Sequence, residues 1–244
     1  MNKVEVRNLT KSFGDLLVLD DVSFDVKDGE FLAIVGPTGC GKTTFLNSLT
    51  QIYDIDSGSI LLNGEPVNLK KHSLAYIMQE YSTMSWLNVR QNVQFGLEIK
   101  GFSRKEVREK AERALELVGL TQFRDYYPNQ LSASMLQRVA IARAFAVQPD
   151  LLLMDEPYGQ LDLELRFKLE DELLNLWRKL GTTVIFITHN IEEAVYLSER
   201  ILVLSNKPTA IKETIENRLP YPRSVTSEAF VELRNRVTAL IKWW

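Results

Sequence analysis

Runs of consecutive apolar residues alternate along the chain with longer segments whose apolar residues recur at helical spacing. A continuous apolar run predicts a strand that is buried on both faces, as in a parallel sheet. Such runs lie at Phe31–Val35, Leu74–Met78, Leu151–Met154, Val184–Thr188 and Ile201–Leu204. Shorter strands separated by turns are predicted nearer the N-terminus, at Val4–Val6, Ser23–Val26 and Ser59–Leu62. Helical patterns between the strands predict an α/β fold with a mostly parallel sheet.

Three helices are predicted from this spacing. The first runs from Ser103 to Val118, begins with a Ser103/Glu106 capping box and ends at a glycine. The second runs from Glu164 to Leu180, and the third carries apolar positions from Phe230 to Ile241. Residues 80–145 are mostly helical and interrupt the strands, so we interpret them as a helical subdomain inserted into the core. Residues 220–244 are expected to form a C-terminal helical extension of a single 1–244 domain.

Charge and cysteine content narrow the class of protein. The net charge of −3 argues against nucleic-acid binding, which needs a strongly basic surface. Cys40 is the only cysteine, so no internal disulfide can form, and a zinc site is not favoured. The longest apolar runs fall far short of the roughly 20 residues that a membrane span requires. The chain is therefore expected to serve a membrane process only by docking onto a protein that spans the membrane.

The most specific motif is Gly36-Pro-Thr-Gly-Cys-Gly-Lys42-Thr43, which matches the phosphate-loop pattern G-x-x-x-x-G-K-[ST] in full. It follows the predicted strand Phe31–Val35, and a helix is predicted from Thr44 onward. Lys42 would bridge the β- and γ-phosphates of a nucleotide, and the Thr43 hydroxyl would hold Mg²⁺. The alternative is a glycine-rich turn without function, against which the flanking strand and helix argue.

A second motif, Leu151–Glu156, is a buried strand that delivers two carboxylates to its carboxyl end, where ligands bind in such sheets. Asp155 can hold Mg²⁺ through water, and Glu156 is placed to polarise an attacking water. The alternative is a surface acid pair that caps the next segment. His189 follows another buried strand, and we interpret it as a γ-phosphate contact. His72 lies in a polar stretch and is expected to be solvated.

Together these motifs resemble the ATP-binding subunit of an ABC transporter over nearly the whole chain. The resemblance implies a P-loop NTPase core with an antiparallel β portion near the N-terminus. It implies that Glu156 is the catalytic carboxylate, that His189 is the switch histidine and that Asp162 belongs to the D-loop. The implied magnesium ligands are Thr43, Gln79 and Asp155. The implied ATP-binding residues are Phe13, Gly36, Pro37, Thr38, Gly39, Cys40, Gly41, Lys42, Thr43, Thr44 and Gln79.

Three of these positions have simpler interpretations when each is taken alone. Phe13, implied to stack on adenine, could be a core aromatic, and Gln79 could be any polar strand end. Asp162 could be the N-cap of the helix that starts near Glu164.

The signature segment departs from the family pattern Leu-Ser-Gly-Gly-x-x-Gln-Arg. This chain has Leu131-Ser-Ala-Ser-Met-Leu-Gln-Arg138, so that Ser132, Gln137 and Arg138 remain but Ala133 and Ser134 replace both glycines. In the family this segment contacts the γ-phosphate bound by the opposite subunit. A Cβ at the two positions is expected to hold the backbone away from that phosphate or to strain it. The contribution to the partner's ATP site is therefore in doubt, whereas the chain's own site is complete.

The resemblance implies an ATPase that uses ATP and Mg²⁺ and closes head-to-tail with a second ABC ATPase subunit, identical or different. Its further partners would be transmembrane permease subunits and, indirectly, an extracytoplasmic solute-binding protein, with no nucleic acid. The protein would lie peripherally at the cytoplasmic face of the cell membrane. Two alternatives stay open: a regulatory or structural subunit that hydrolyses ATP poorly, and an ABC ATPase without a role in transport.

A finer resemblance connects the chain to the ATPases of nitrate, sulfonate and taurine importers. It rests on Trp86-Leu-Asn-Val89 with Asn92-Val93, on Glu192–Leu197 and on Pro222-Arg223, although Ser85 stands where proline is usual. These segments imply a small imported solute without naming it.

Overall fold

The structure is a computed structural model that describes residues 1–80, 82–159, 161 and 163–241. Asp162, the expected D-loop residue, lies outside the described residues. The strands are β1 Asn2–Phe13, β2 Leu16–Lys27, β3 Phe31–Val35, β4 Ser57–Leu62, β5 Glu65–Pro66, β6 Leu74–Ile77, β7 Leu151–Asp155, β8 Thr183–Ile187, β9 Arg200–Leu204 and β10 Ile211–Glu216. The helices are α1 Lys42–Leu49, α2 Val89–Ile99, α3 Arg104–Leu117, α4 Ala133–Ala146, α5 Leu163–Leu180, α6 Ile191–Leu197 and α7 Glu228–Leu240.

The chain forms two structural units. The first combines the residues up to His72 with those from Thr183 onward, and the second comprises Ser73–Thr182. Within the first unit, an antiparallel sheet has the order β2-β1-β4-β5. The predicted antiparallel portion near the N-terminus is therefore confirmed.

The parallel strands of the first unit are arranged around β3. It pairs with β8 on one side and with β9 on the other, both in parallel, and β10 runs antiparallel to β9. All five residues of β3 are buried, as its continuous apolar sequence predicts. Helices α6 and α7 cover one face of β3 through Ala194, Val195 and Phe230, which share a core with Ala33 and Val35.

In the second unit, β6 and β7 pair in parallel, with Leu74 opposite Leu151 and Ile77 opposite Met154. Helices α2, α3 and α4 pack against one another. The capping box predicted at Ser103 and Glu106 is present at the start of α3. The apolar stripe of α3, which includes Leu115, is buried, and full burial of one such side chain stabilises the fold by about 1.5–3 kcal/mol.

Several boundaries differ from the sequence-based predictions. Helix α1 begins at Lys42 instead of Thr44, and β6 ends before Met78, which is half exposed. Strands β1 and β2 are each 12 residues long because they form one long antiparallel hairpin with several register shifts.

The prediction that His72 is solvated is wrong. The side chain is only 9% exposed, and its Nδ1 accepts a hydrogen bond from the Asn68 backbone N–H at 3.1 Å. The His72 N–H also donates to the Asn68 carbonyl at 2.8 Å, so that a tight turn folds the ring inward. Polar neighbours in the sequence gave no indication of this turn.

Among the residues that the structure describes, none of the helices combines the length and the apolar character needed to cross a membrane.

Candidate functional site

The phosphate loop of the first unit connects the carboxyl end of β3 to the start of α1. Gly41 is the N-cap of α1 with φ = 110°, a left-handed conformation, and no side chain caps the helix. A Cβ on Gly41 would lie 2.8 Å from Val18 Cγ1, so the position requires glycine for both its φ value and its space. A helix start without a side-chain cap is the kind of helix N-terminus that suits anion binding.

Lys42 is buried beneath this loop, with 5% of its surface exposed. Its Nζ donates to the carbonyl oxygens of Gly36 at 2.9 Å and Pro37 at 3.0 Å. These bonds hold the loop closed around a positive charge, which suits it to bind phosphate oxygens. Thr43, the first residue after Lys42, is exposed at the start of α1.

Cys40 is buried within the loop, and that burial raises the pKa of its thiol, although the nearby Lys42 ammonium acts in the opposite direction. The Cys40 carbonyl accepts a hydrogen bond from the Thr209 hydroxyl. Thr209 therefore ties the loop to the connection between β9 and β10, a support that no sequence motif indicated. The raised pKa indicates a small residue that packs within the loop, since a reactive thiol needs a lowered pKa.

His189 lies at the same edge of the sheet as the phosphate loop. Because Ile34 pairs with Ile187 in parallel strands, Gly36 and His189 follow the carboxyl ends of neighbouring strands. The Thr188 N–H donates to the Ile34 carbonyl at 3.3 Å and extends the pairing up to the histidine. The His189 side chain is exposed, whereas Thr188 is buried.

Phe13 lies at the end of β1, and its ring is 44% exposed. Tyr53 contacts it edge-on with ring centroids 5.2 Å apart, and Lys11 Nζ lies 5.2 Å from its centroid. An exposed ring that a second ring contacts at its edge has a face on which a flat base can stack. The core interpretation of Phe13 is therefore not favoured, and Tyr53 is a neighbour that the sequence did not indicate.

In the second unit, the carboxyl end of β7 presents the two predicted carboxylates. Asp155 is 7% exposed, and its Oδ2 accepts a hydrogen bond from the Tyr76 hydroxyl on β6 at 3.3 Å. Glu156 follows in a left-handed conformation with φ = 45°, which is costly for a residue other than glycine. Strained backbone of this kind is concentrated at functional sites, and here it turns the chain sharply directly after the strand.

Gln79 is exposed and follows β6, the parallel neighbour of β7. Further along the chain, Asn92 is fully buried on α2. Asn92 Nδ2 donates to the carbonyls of Met84 at 3.1 Å and Leu87 at 3.0 Å, and its Oδ1 accepts from the Met84 N–H at 2.8 Å. The Asn92 amide therefore fixes the chain at Met84 and Leu87, directly before α2.

The signature segment forms the start of α4. Ser132 is the N-cap, and its Oγ accepts from the Met135 N–H at 3.4 Å and lies 3.0 Å from Ser134 Oγ. Ala133 and Ser134 belong to the first turn of a right-handed helix, so neither requires a positive φ. The expected backbone strain is therefore absent at these two positions, while the added side-chain bulk remains.

Gln137, another retained signature residue, is fully buried on α4. Neither its Nε2 nor its Oε1 has a hydrogen-bond partner among the described residues.

A phosphate loop between a buried strand and a helix, in a unit with a mostly parallel sheet, defines a P-loop nucleotide-binding protein of the α/β class. The comparisons with known proteins give the family. Residues 19–159 match the ABC transporter family. The chain therefore belongs to the ABC transporter ATP-binding family, and it is an ATPase.

Relatives of known sequence and structure support this family assignment. An ABC transporter ATP-binding protein of Methanocaldococcus jannaschii is 43% identical over 98% of this chain and 91% of its own length. The aliphatic sulfonates import ATP-binding protein SsuB of Bacillus cereus strain ZK is 42% identical over 93% of this chain and 90% of its own. The dimeric structure of the ABC transporter cassette MJ0796 superposes with a TM-score of 0.78 at 30% identity, over 89% of this chain and 100% of that cassette.

A second structure of MJ0796 is the same cassette dimer in a post-hydrolysis state bound to ADP and phosphate. The fold class predicted from the sequence, including the P-loop ATPase core, is confirmed by these neighbours.

Proposed function

We propose that this chain hydrolyses Mg-ATP to power the import of a small solute, of the class that includes sulfonates, taurine and nitrate, through a membrane permease. The observation that carries the proposal is the likeness to SsuB, an aliphatic sulfonate importer ATPase, over 93% of the chain. The exposed apolar side chains of the second unit, among them Trp86 and Ile99, support docking onto a permease. In this proposal a helical subdomain contacts that permease at the cytoplasmic face of the membrane. The contact involves residues 80–145 and the region around Gln79. Residues 220–244 form a C-terminal extension.

In this proposal, residues of both units carry the groups that ATP hydrolysis requires. Lys42 and the loop glycines bind the phosphates, and Phe13 stacks on the adenine. Glu156 orients and polarises the attacking water, and His189 contacts the γ-phosphate. Together these groups position the phosphoryl group and stabilise its charge, which is most of what phosphoryl transfer asks of a protein.

Magnesium fits the oxygen donors that are present. Mg²⁺ prefers hydroxyl, carboxylate and carbonyl oxygens, and Thr43, Asp155 and Gln79 carry such groups. The hydrogen bond from Tyr76 occupies one oxygen of Asp155 at 3.3 Å and orients the carboxylate. The ion would neutralise charge at the β- and γ-phosphates.

A second copy of this chain, or a different ABC ATPase subunit, is proposed to complete each ATP site by presenting its signature segment. MJ0796 forms a dimer, which supports this assembly. A solute-binding protein outside the cell would deliver the solute to the permease and would contact this chain only indirectly.

Deletion of the gene tests the proposed import. The deletion strain is expected to lose growth on sulfonates or taurine as the only sulfur source, or on nitrate as the only nitrogen source. Growth on sulfate and ammonium should not change. The parent gene should restore growth, and a Lys42→Ala gene should not. Unimpaired growth of the deletion strain on all of these solutes would contradict the proposed solute class.

The altered signature favours one alternative function, that of a subunit that hydrolyses ATP poorly. A double variant distinguishes this alternative from an active transport ATPase. Ala133→Gly with Ser134→Gly removes both Cβ groups and the Ser134 hydroxyl that lies 3.0 Å from Ser132 Oγ. We expect the turnover of the dimer to rise about tenfold or more, which corresponds to about 1.4 kcal/mol of barrier. The measurement is steady-state phosphate release at saturating Mg-ATP and equal protein concentration.

The matched control is Arg104→Gly with Lys105→Gly in the first turn of α3, which has the same length of 14 residues as α4. This pair introduces the same helix-weakening glycines away from the signature and should leave turnover unchanged. Equal rates for the parent and the signature variant, with dimerisation confirmed, would show that the altered segment is harmless.

A further inference from the structure

A buried network of hydrogen bonds surrounds the turn that carries His189. The Thr188 hydroxyl donates to Glu193 Oε2 at 2.5 Å and accepts from the Asn190 N–H at 2.9 Å. The hydroxyl of the residue before the histidine therefore binds the residue after it and Glu193 on α6. Thr188 is 1% exposed and Glu193 is 4% exposed, so water does not compete strongly for these bonds.

Asn190 completes the network. Its Oδ1 caps α6 by accepting from the Glu192 N–H at 2.9 Å and the Glu193 N–H at 3.4 Å. Its Nδ2 donates to Glu193 Oε1 at 3.4 Å. Each carboxylate oxygen of Glu193 thus receives a hydrogen bond from a residue adjacent to His189, one from Thr188 and one from Asn190. Of residues 188–190, only His189 has an exposed side chain.

The helix that carries Glu193 is itself held at both ends. At its carboxyl end, the buried Arg223 donates through Nη1 to the carbonyls of Val195 and Ser198, each at 2.7 Å. A cation at this end of a helix is also favoured by the helix dipole. Along its length, α6 packs against β3, the strand that leads into the phosphate loop. Glu193 is therefore fixed relative to that strand.

We propose that Thr188 and Glu193 are positioning residues for ATP hydrolysis, which lock the 188–190 turn so that the His189 ring is held toward the γ-phosphate. The inference rests on the proposed role of His189. A small displacement of a catalytic group is enough to lower a rate by one to two orders of magnitude. The lock matters for turnover and not for ATP affinity, because none of its groups belongs to the phosphate loop.

The first test compares three variants of the network. Thr188→Val keeps the shape of the side chain and removes the hydroxyl, and Glu193→Ala removes its acceptor. Both are expected to lower kcat about tenfold, with an ATP dissociation constant within twofold of the parent value by calorimetry. Thr188→Ser restores the hydroxyl and should recover kcat. A Thr188→Ser variant as slow as Thr188→Val, or a Glu193→Ala variant at the parent rate, would overturn the inference.

The second test asks whether the effect passes through His189. In the His189→Ala background, Thr188→Val is expected to cause no further loss of kcat. The same loss in both backgrounds would mean that the network only stabilises the fold, and it would overturn the inference while the role of His189 stands. His189→Ala turning over at the parent rate would remove the role of His189, and the inference would fail with it.

A spectroscopic measurement reports the position of the ring directly. The chain contains two histidines, so that ring resonances of His189 and His72 can be separated, and His72 serves as an internal reference. Thr188→Val should shift or broaden the His189 signals and leave those of His72 unchanged, whereas Thr188→Ser should leave both unchanged. Identical His189 signals in the parent and Thr188→Val would contradict the proposed lock.

Discussion

Glu156→Gln is expected to lower kcat about 100-fold or more while ATP still binds with the affinity of the parent. The amide has the shape of the carboxylate but cannot take a proton from the attacking water or orient it equally well. The backbone at Glu156 already has φ = 45°, and glutamine meets the same strain, so the turn after β7 should be preserved. Phosphate release under single- and multiple-turnover conditions measures the rate, and calorimetry measures the affinity.

The control for this substitution is Glu116→Gln, which makes the same chemical change at an exposed position on α3 and should not affect turnover. Because binding continues without hydrolysis, a dimer with ATP bound should accumulate in the Glu156→Gln variant, and size-exclusion chromatography with Mg-ATP should show it. Hydrolysis at the parent rate would mean that Glu156 is not the carboxylate that activates water.

The parts of the fold that the sequence predicted are those where one local pattern decides the structure. The buried strand β3 is a run of apolar residues, and the glycines and Lys42 of the following loop form a contiguous motif. The capping box of α3 is equally local, since Ser103 and Glu106 are three residues apart. In each case the residues that determine the structure are neighbours in the sequence.

The parts that the sequence did not predict depend on residues that are distant along the chain or on conformation without a side-chain signal. The start of α1 was placed two residues late because its N-cap is Gly41, which offers no capping side chain. Thr209 supports the phosphate loop from 169 residues away. The left-handed conformation of Glu156 is set by the surrounding packing, and no propensity favours it.

For the signature segment, the sequence suggested one structural effect and the structure shows another. The loss of both glycines was visible in the sequence and suggested backbone strain. The structure shows instead that Ala133 and Ser134 begin a regular helix, and that a second hydroxyl has been placed beside Ser132. In the proposed dimer, the effect of the added bulk and of the new hydroxyl is set by contacts with the second subunit, which lie outside the sequence of one chain.

Lys42→Ala is expected to raise the ATP dissociation constant about 100-fold, since hydrogen bonds to a charged group contribute about 1.5–3 kcal/mol each. The substitution removes both a charge and the hydrogen bonds that this charged group makes. It removes the positive charge that would bind the phosphates, and it removes the bonds from Nζ to the Gly36 and Pro37 carbonyls that hold the loop closed. Calorimetry with Mg-ATP measures the affinity, and thermal unfolding without nucleotide shows whether the fold survives.

Two further variants separate the charge of Lys42 from its role in the loop. Lys42→Arg keeps the positive charge, but its planar guanidinium cannot occupy the compact position between two carbonyls, so affinity should recover only in part. Lys70→Ala removes an exposed lysine of the same unit and should leave affinity unchanged. If Lys42→Ala bound ATP as tightly as the parent, the loop between β3 and α1 would not be the phosphate-binding site, because this ammonium is buried within the loop itself.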